Sequence, residues 1–185
     1  MDHYGTGLYP THQTFKYPKA GENNSKVSLH LYDLKKEAQY KADLKEYGQY
    51  YIPRIQWTKQ AEVLAVTTIN RHQNNLNLIA FNADKKEGTL LLNEKDPAYI
   101  KIDDDLTFLY DNSFIWTSER DGFNHLYHYD KNGKLLNKIT NGNWEVTKYY
   151  GYDKNTNRIF YQSTEEGSIN RSVCSIDLNG KKQKK

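Results

Sequence analysis

The stretch Asn124-His-Leu-Tyr-His-Tyr-Asp130 has three counterparts along the chain, and together they decide the fold. Each counterpart is a short strand-like segment that ends in Asp or Asn. They are Val27-Ser-Leu-His-Leu-Tyr-Asp33, Leu76-Asn-Leu-Ile-Ala-Phe-Asn82 and Arg171-Ser-Val-Cys-Ser-Ile-Asp177. The four segments end at positions 33, 82, 130 and 177, which are 49, 48 and 47 residues apart. The sequence therefore repeats with a nearly constant period.

Three more strand-like segments accompany each complete repeat, which gives four strands in all. We predict first strands at 52–57, 107–110 and 147–152, second strands at 62–69, 113–118 and 158–163, and fourth strands at 39–44, 88–93 and 134–140. The tight-turn dipeptides Asp121-Gly122, Asn132-Gly133 and Asn179-Gly180 fall between predicted strands, as expected for antiparallel hairpins.

A four-stranded unit repeated every 47 to 49 residues is typical of a β-propeller, whose blades are about 40–50 residues long. A β-sandwich also has many short strands, but it does not explain the regular period. The Gly-His and Trp-Asp signature of WD repeats is missing, which indicates another propeller type. We predict an all-β fold, a partial β-propeller of about three and a half four-stranded antiparallel blades.

The chain divides accordingly into one irregular lead and four propeller units within a single segment, 1–185. The expected units are a lead at 1–26, a half blade at 27–49, and blades at 50–95, 106–141 and 146–185. Because a propeller protects its sheet edges by closing into a ring, three and a half blades leave two blade faces open. We therefore expect self-association through these faces, or only marginal stability.

Composition excludes several classes of function. The net charge of +3 is weak for a nucleic-acid-binding protein, and four lysines of the last five residues supply the surplus. The single cysteine, Cys174, rules out an internal disulfide bond. The sequence has no 18-residue apolar run, and its first residues do not look like a signal peptide.

The sequence offers no catalytic residues, and we predict no metal and no cofactor. A Gly-x-Ser-x-Gly nucleophile elbow is missing. His125 and His128 are three positions apart in a predicted strand, so their side chains point to opposite faces and cannot chelate one metal ion.

The acidic run Asp103-Asp104-Asp105 is the strongest candidate for a binding site. It precedes a first strand, which places it where the chain enters a blade, near the central channel. It could be a solvated loop or turn cap, a calcium site, or an acidic patch that lines the channel.

Other residues are predicted to have structural roles. Trp116 belongs to the same stretch as Glu119-Arg120-Asp121-Gly122, a hairpin tip in which we expect the arginine to pair with a nearby carboxylate. Trp144 and Glu145 lie where the chain crosses between two blades, and we expect Trp144 to fill the core between them.

Several segments resemble one enzyme family in the family's own order. Phe15-Lys-Tyr-Pro-Lys-Ala-Gly21, Ser113-Phe-Ile-Trp-Thr-Ser-Glu-Arg-Asp-Gly122 and Lys138-Ile-Thr-Asn-Gly-Asn-Trp-Glu-Val-Thr147 are similar to the N-terminal propeller region of dipeptidyl peptidase IV and its relatives. Those proteins are serine exopeptidases of the prolyl oligopeptidase superfamily. The resemblance extends from about Tyr9 to the end of the chain.

The resemblance implies that the chain is a non-catalytic segment of an enzyme that releases N-terminal X-Pro or X-Ala dipeptides. Its partners would be the rest of the propeller, a C-terminal α/β-hydrolase domain that carries the triad, and the peptide substrate. A glutamate pair that holds the substrate's amino terminus would precede this segment, and Glu165-Glu166 lies in a different blade.

The resemblance also places residues 102–106 beside the substrate cavity, which makes Asp103, Asp104 and Asp105 candidate substrate contacts. The aromatic and arginine contacts of the family are not reproduced there. The family's bacterial members imply a periplasmic or secreted location. A stand-alone propeller-type module that binds a peptide or glycan is the alternative.

Overall fold

The computed structural model describes residues 2–3, 7–17, 19–48 and 50–185, and these contain fifteen strands. The strands are β1 Asp2–His3, β2 Thr11–His12, β3 His30–Asp33, β4 Ala38–Lys41, β5 Tyr51–Trp57, β6 Val63–Ile69, β7 Asn75–Asn82, β8 Glu87–Lys95, β9 Thr107–Phe108, β10 Phe114–Ser118, β11 His125–Tyr129, β12 Leu135–Lys138, β13 Val146–Asp153, β14 Arg158–Ser163 and β15 Ser172–Asp177. A single 3₁₀ turn, Lys45–Tyr47, follows β4. None of the described segments is a helix long and apolar enough to cross a membrane.

Antiparallel sheets made of consecutive strands follow one another along the chain. Strands β3 and β4 form blade 1, strands β5 to β8 form blade 2, strands β9 to β12 form blade 3, and strands β13 to β15 form blade 4. The predicted all-β fold with four-stranded antiparallel blades is confirmed. The lead contains one element that the sequence analysis does not predict, a ladder between β1 and β2, whose two-residue strands are too short to give an alternating pattern.

Several predicted strands are shorter in the structure, and the first strand of blade 3 is shortened because a tight turn begins inside it. The first strand of blade 3, predicted at 107–110, ends at Phe108. The amide of Asn112 donates to the carbonyl of Leu109 at 3.0 Å, and Asn112 takes a positive φ of 64°. Blade 4 has three strands, and among the described residues a single bridge between Ser175 and Lys184 continues the sheet beyond β15.

Alternation along the second strands explains how the blades stack. All seven residues of β6 are buried, because this strand is covered on both faces. Leu64 and Val66 pack with Leu29 and other residues of blade 1, whereas Ala65 and Ile69 pack toward blade 3. Because successive side chains point to opposite faces of a strand, β6 contributes residues to two separate cores.

The same arrangement continues through the next two seams. Phe114 and Trp116 of β10 join the core shared with blade 2, and Ile115, between them, joins the core shared with blade 4. On the other side of that last core lie Ile159 and Tyr161 of β14. Each seam is therefore a face-to-face packing of two sheets, without a separate central core.

In three of the four repeats, the Asp or Asn at the end of the segment caps the turn that follows it. The carboxylate of Asp33 accepts the amides of residues 35 and 36, and that of Asp130 accepts the amides of residues 132 and 134. The side-chain oxygen of Asn82 accepts the amide of Lys85 at 2.9 Å. In blade 4 the carboxylate of Asp177 instead accepts from the guanidinium of Arg158 at 2.7 Å. Short polar side chains can accept hydrogen bonds from the amides of the following turn, which explains why Asp or Asn recurs at the end of the repeat.

Glycine is required where one of these turns meets the neighbouring blade. Gly133 has φ +84°, and a Cβ atom there would lie 1.9 Å from the carbonyl oxygen of Leu91 in blade 2. Gly180 occupies the equivalent turn of blade 4, and its Cβ would lie 2.9 Å from the carbonyl oxygen of Ile139 in blade 3. The turn of one blade thus rests directly on the backbone of the preceding blade.

We predict that Gly133→Ala destabilises the chain by about 3 kcal/mol or more, since it adds a backbone clash to the cost of a positive φ. Gly122→Ala is the matched control, because Gly122 has φ +91° but no atom within 4 Å of its Cβ position. It should cost only about 1–2 kcal/mol, the penalty of the positive φ alone. Urea unfolding of both variants measures the difference, and equal losses would show that the contact with Leu91 is unimportant.

Candidate functional site

The acidic run lies in the connection between β8 and β9, beside a cavity between blades 2 and 3. The cavity has a volume of about 180 Å³. Its walls are formed by the side chains of both blades and of the connection: Arg54, Ile55, Gln56, Ala65, Thr67, Leu76, Lys101, Ile102, Asp103, Asp104, Leu106, Trp116 and Thr117. The interior is mainly apolar, and the charged groups belong to β5 and to the connection.

Two of the three carboxylates are paired with cations. Asp104 accepts from the guanidinium of Arg54 on β5, which lowers the pKa of the carboxyl group. Asp103 lies 3.2 Å from the ammonium group of Lys101, and this hydrogen bond raises the pKa of Lys101. The hydroxyl of Thr117 is also within 3.5 Å of Asp103. These contacts connect the acidic run to the strands on both sides of the cavity.

Asp105 differs because its carboxylate has no hydrogen bond or ion pair within the described part of the chain. It is half-buried, and burial together with the nearby charge of Asp103 raises its pKa to about 6. Lys101 opposes this shift without cancelling it. Asp105 is therefore the carboxylate of the run whose charge is not balanced by a partner among the described residues.

The acidic run does not assemble into a metal centre. Asp103 and Asp104 turn toward different cations, and within residues 2–3, 7–17, 19–48 and 50–185 no group of three or more His, Cys, Asp or Glu side chains is placed to hold an ion.

Glu94, which the sequence analysis does not single out, holds the seam between blades 2 and 3 near this cavity. Its side chain is only 10% exposed. One oxygen accepts from the indole N–H of Trp116 at 2.9 Å, and the other accepts from the hydroxyl of Ser118. The guanidinium of Arg120 lies 3.8 Å away. The sequence could have predicted the direction of this side chain, because residues two apart in a strand share a face and Glu94 follows Leu92 by two. Both side chains face blade 3.

Side chains of β11 and β12 hold the hairpin tip from Glu119 to Gly122. Arg120 lies over the rings of Tyr127 and Tyr129, at 4.7 and 5.8 Å from their centres. Asp121 accepts from the hydroxyl of Tyr127 at 2.8 Å and from the ammonium group of Lys138 at 2.7 Å. Glu119 is exposed, and its carbonyl accepts the amide of Gly122 to close the turn.

Comparison with known proteins agrees with this architecture. The family model described as the dipeptidyl peptidase IV (DPP IV) N-terminal region matches residues 1–185. The chain belongs to this family. The crystal structure of Porphyromonas gingivalis dipeptidyl peptidase 4 superposes with a TM-score of 0.87 and 41% identity, over 100% of this chain and 26% of that chain.

Curated relatives of this dipeptidyl peptidase IV family segment are more distant. "Probable dipeptidyl-aminopeptidase B" of Pyrenophora teres f. teres is 26% identical over 95% of this chain, and its counterpart from Trichophyton verrucosum is 29% identical over the same share. The chain spans 21% of the length of each of these relatives.

In this family member, Trp144 and Glu145 lie at the crossing between blades 3 and 4. The indole of Trp144 stacks on Tyr161 at 6.2 Å and meets the ring of His125 edge-on at 5.1 Å. The backbone of Glu145 is tied to Thr164, whose amide donates to the Glu145 carbonyl at 3.1 Å. These contacts tie the chain crossing to the core shared by blades 3 and 4.

His125 and His128 lie on opposite faces of β11. His125 is hydrogen-bonded to the hydroxyl of Thr140 and the carbonyl of Gly142, each at 3.0 Å. His128 contacts the hydroxyl of Ser113 at 3.0 Å. Burial lowers the pKa of both imidazoles, which suits structural hydrogen bonding in the neutral form.

We predict that Asp105→Asn stabilises the chain at pH 7.5 but not at pH 4. A carboxyl group whose pKa is higher in the folded state than in the unfolded state binds more protons when folded, so stability falls as pH rises from about 4 through 6. Removing the charge should recover about 1–2 kcal/mol at pH 7.5, allowing for partial exposure to solvent. Urea unfolding at both pH values measures this gain.

The neighbouring Asp104→Asn is the control for that measurement. It removes the partner of Arg54 and should produce no gain at pH 7.5. Equal stabilisation by both substitutions would mean that general repulsion within the run, rather than the unpaired state of Asp105, sets the effect.

Proposed function

We propose that this chain is a non-catalytic propeller segment of a dipeptidyl peptidase IV-like serine exopeptidase that releases N-terminal X-Pro or X-Ala dipeptides. The supporting observation is the match of the family model along the whole chain, together with 41% identity to the Porphyromonas gingivalis dipeptidyl peptidase 4 structure. Since the chain spans about a fifth of its curated relatives, this activity is proposed for the longer polypeptide.

The segment's own contribution would be to limit substrate access and to contact the peptide. The acidic run lies where the chain enters blade 3, and two of its carboxylates are fixed by Arg54 and Lys101. Asp105 would then supply the free negative charge for a cationic group of the peptide. A cavity of about 180 Å³ beside the run offers an apolar surface for a side chain.

The open faces of the end blades support packing against other parts of the same polypeptide. On blade 4, Phe160 and Val173 are 38% and 56% exposed, on the face opposite the core shared with blade 3. On blade 1, Tyr32 is 56% exposed. Further blades of the propeller and the α/β-hydrolase domain are the proposed partners, and self-association is the expected substitute when this chain is alone.

The alternative function, a stand-alone module that binds a peptide or glycan, requires that the chain form a closed ring or a defined oligomer. Light scattering distinguishes the two: a discrete closed assembly supports the module, whereas concentration-dependent association with a broad melting transition supports the segment. A periplasmic or secreted location is proposed from the family resemblance, and fractionation of the source cells would examine it.

A dipeptidyl p-nitroanilide assay examines the proposed function. We expect the full polypeptide that contains this chain to release p-nitroaniline from X-Pro and X-Ala substrates, and the chain alone to release none. Activity of the isolated chain, or inactivity of the full polypeptide, would contradict the proposal.

The same assay examines the proposed peptide contact. Asp105→Asn in the full polypeptide should raise KM by about threefold to tenfold at unchanged kcat, the effect of losing roughly 1 kcal/mol of ion pairing. Asp84→Asn removes an exposed carboxylate from the turn between β7 and β8 and should leave KM unchanged. Equal KM values in both variants would remove Asp105 from the substrate site without affecting the proposed activity.

A further inference from the structure

The turns between the first and second strands of blades 2, 3 and 4 converge at one place on the surface. Tyr110, in the turn of blade 3, is 72% exposed. Lys59, in the turn of blade 2, places its ammonium nitrogen 5.9 Å from the centre of the Tyr110 ring. Lys154, in the turn of blade 4, lies 5.0 Å from the same ring centre and 3.3 Å from its hydroxyl oxygen. Three separate repeats thus contribute one side chain each.

Within the described part of the chain, the two ammonium groups have no carboxylate partner at ion-pair distance. Neither Lys59 nor Lys154 takes part in the ion pairs formed by the described residues. The adjacent carboxylates are hydrogen-bonded within their own turns, although Lys154 also contributes a minor lowering of the pKa of Asp153. Asp111 accepts from the amide and hydroxyl of Ser113 at 3.0 and 2.6 Å, and Asp153 accepts from the amide of Asn155 and the hydroxyl of Thr156 at 3.0 and 2.6 Å.

We infer that Lys59, Tyr110 and Lys154 form a binding site for an acidic peptide segment. The two ammonium groups attract carboxylates, and the tyrosine hydroxyl, which accepts from Lys154, still has its own proton to donate. This site lies at the opposite end of the strands from the acidic run, because first-to-second turns and blade entries lie at opposite ends of an antiparallel sheet. It does not depend on the proposed function.

The spacing of the two ammonium groups is compatible with an extended peptide. Both ammonium nitrogens are within 6 Å of one ring centre on opposite turns, so they are at most about 11 Å apart. Side chains at alternate positions of an extended strand are separated by roughly 7 Å, which lets two carboxylates reach both lysines. A nucleic acid would need a longer groove with more cations and stacked aromatic rings.

Fluorescence anisotropy with a fluorescein-labelled Glu-Ser-Glu-Ser-Glu peptide, capped at its C-terminus, tests the inference. At low salt the double variant Lys59→Gln/Lys154→Gln should bind at least fivefold more weakly than the unmodified chain, and binding should weaken as salt is added. Tyr110→Phe, which retains the ring, should weaken binding about twofold. A Gln-Ser-Gln-Ser-Gln peptide should bind to none of them.

The matched control is Lys131→Gln/Lys134→Gln, which removes the same charge from the exposed turn between β11 and β12. It should keep the affinity within twofold, and all variants should share one unfolding midpoint. Equal weakening by both double variants would overturn the site in favour of general electrostatic attraction. Equal binding of the two peptides, or competition by N-acetylglutamate as effective as by the pentapeptide, would overturn recognition of an extended acidic segment.

Discussion

The face-to-face packing of successive sheets is the constraint on which the rest of this structure depends. A strand such as β6 gives Val66 to one neighbour and Ala65 to the other, so each inner blade is buried on both sides. No single sheet could remain folded with both faces open, since the apolar area of each face is covered only by the next sheet. Stability is therefore shared between neighbours, as in other repeat proteins.

Polar groups then fix how neighbouring sheets are aligned. Glu94 of blade 2 accepts from Trp116 and Ser118 of blade 3, and these bonds hold only in one relative position of the two sheets. Apolar packing alone would allow the sheets to slide. A buried carboxylate with directional partners therefore adds specificity to a seam whose affinity comes from its apolar side chains. The candidate site lies next to this seam, so the same contacts fix the relative positions of its two walls.

The strands and turns were predictable because their causes are local. The strand-like composition of short segments predicted β6, β10 and β14, and the Asn-Gly pairs at Gly133 and Gly180 predicted the turns, since both signals depend on neighbours a few residues away. The acidic run was predicted as a candidate site, but its division into paired and unpaired carboxylates was not. Arg54, which pairs with Asp104, is 50 residues distant in sequence. The contacts of Glu94 could not be predicted for the same reason, because its partners Trp116 and Ser118 lie in another blade.

The close approach of Gly133 to Leu91 determines where the chain can be lengthened. A turn that rests on the backbone of the preceding blade has no room for an inserted residue, whereas the connection 164–171 between β14 and β15 is exposed along most of its length. Epitope tags, fluorophore attachment sites or grafted loops belong in that connection. Over evolutionary time, the same asymmetry would let one rim of the propeller vary in loop length while the other stays short.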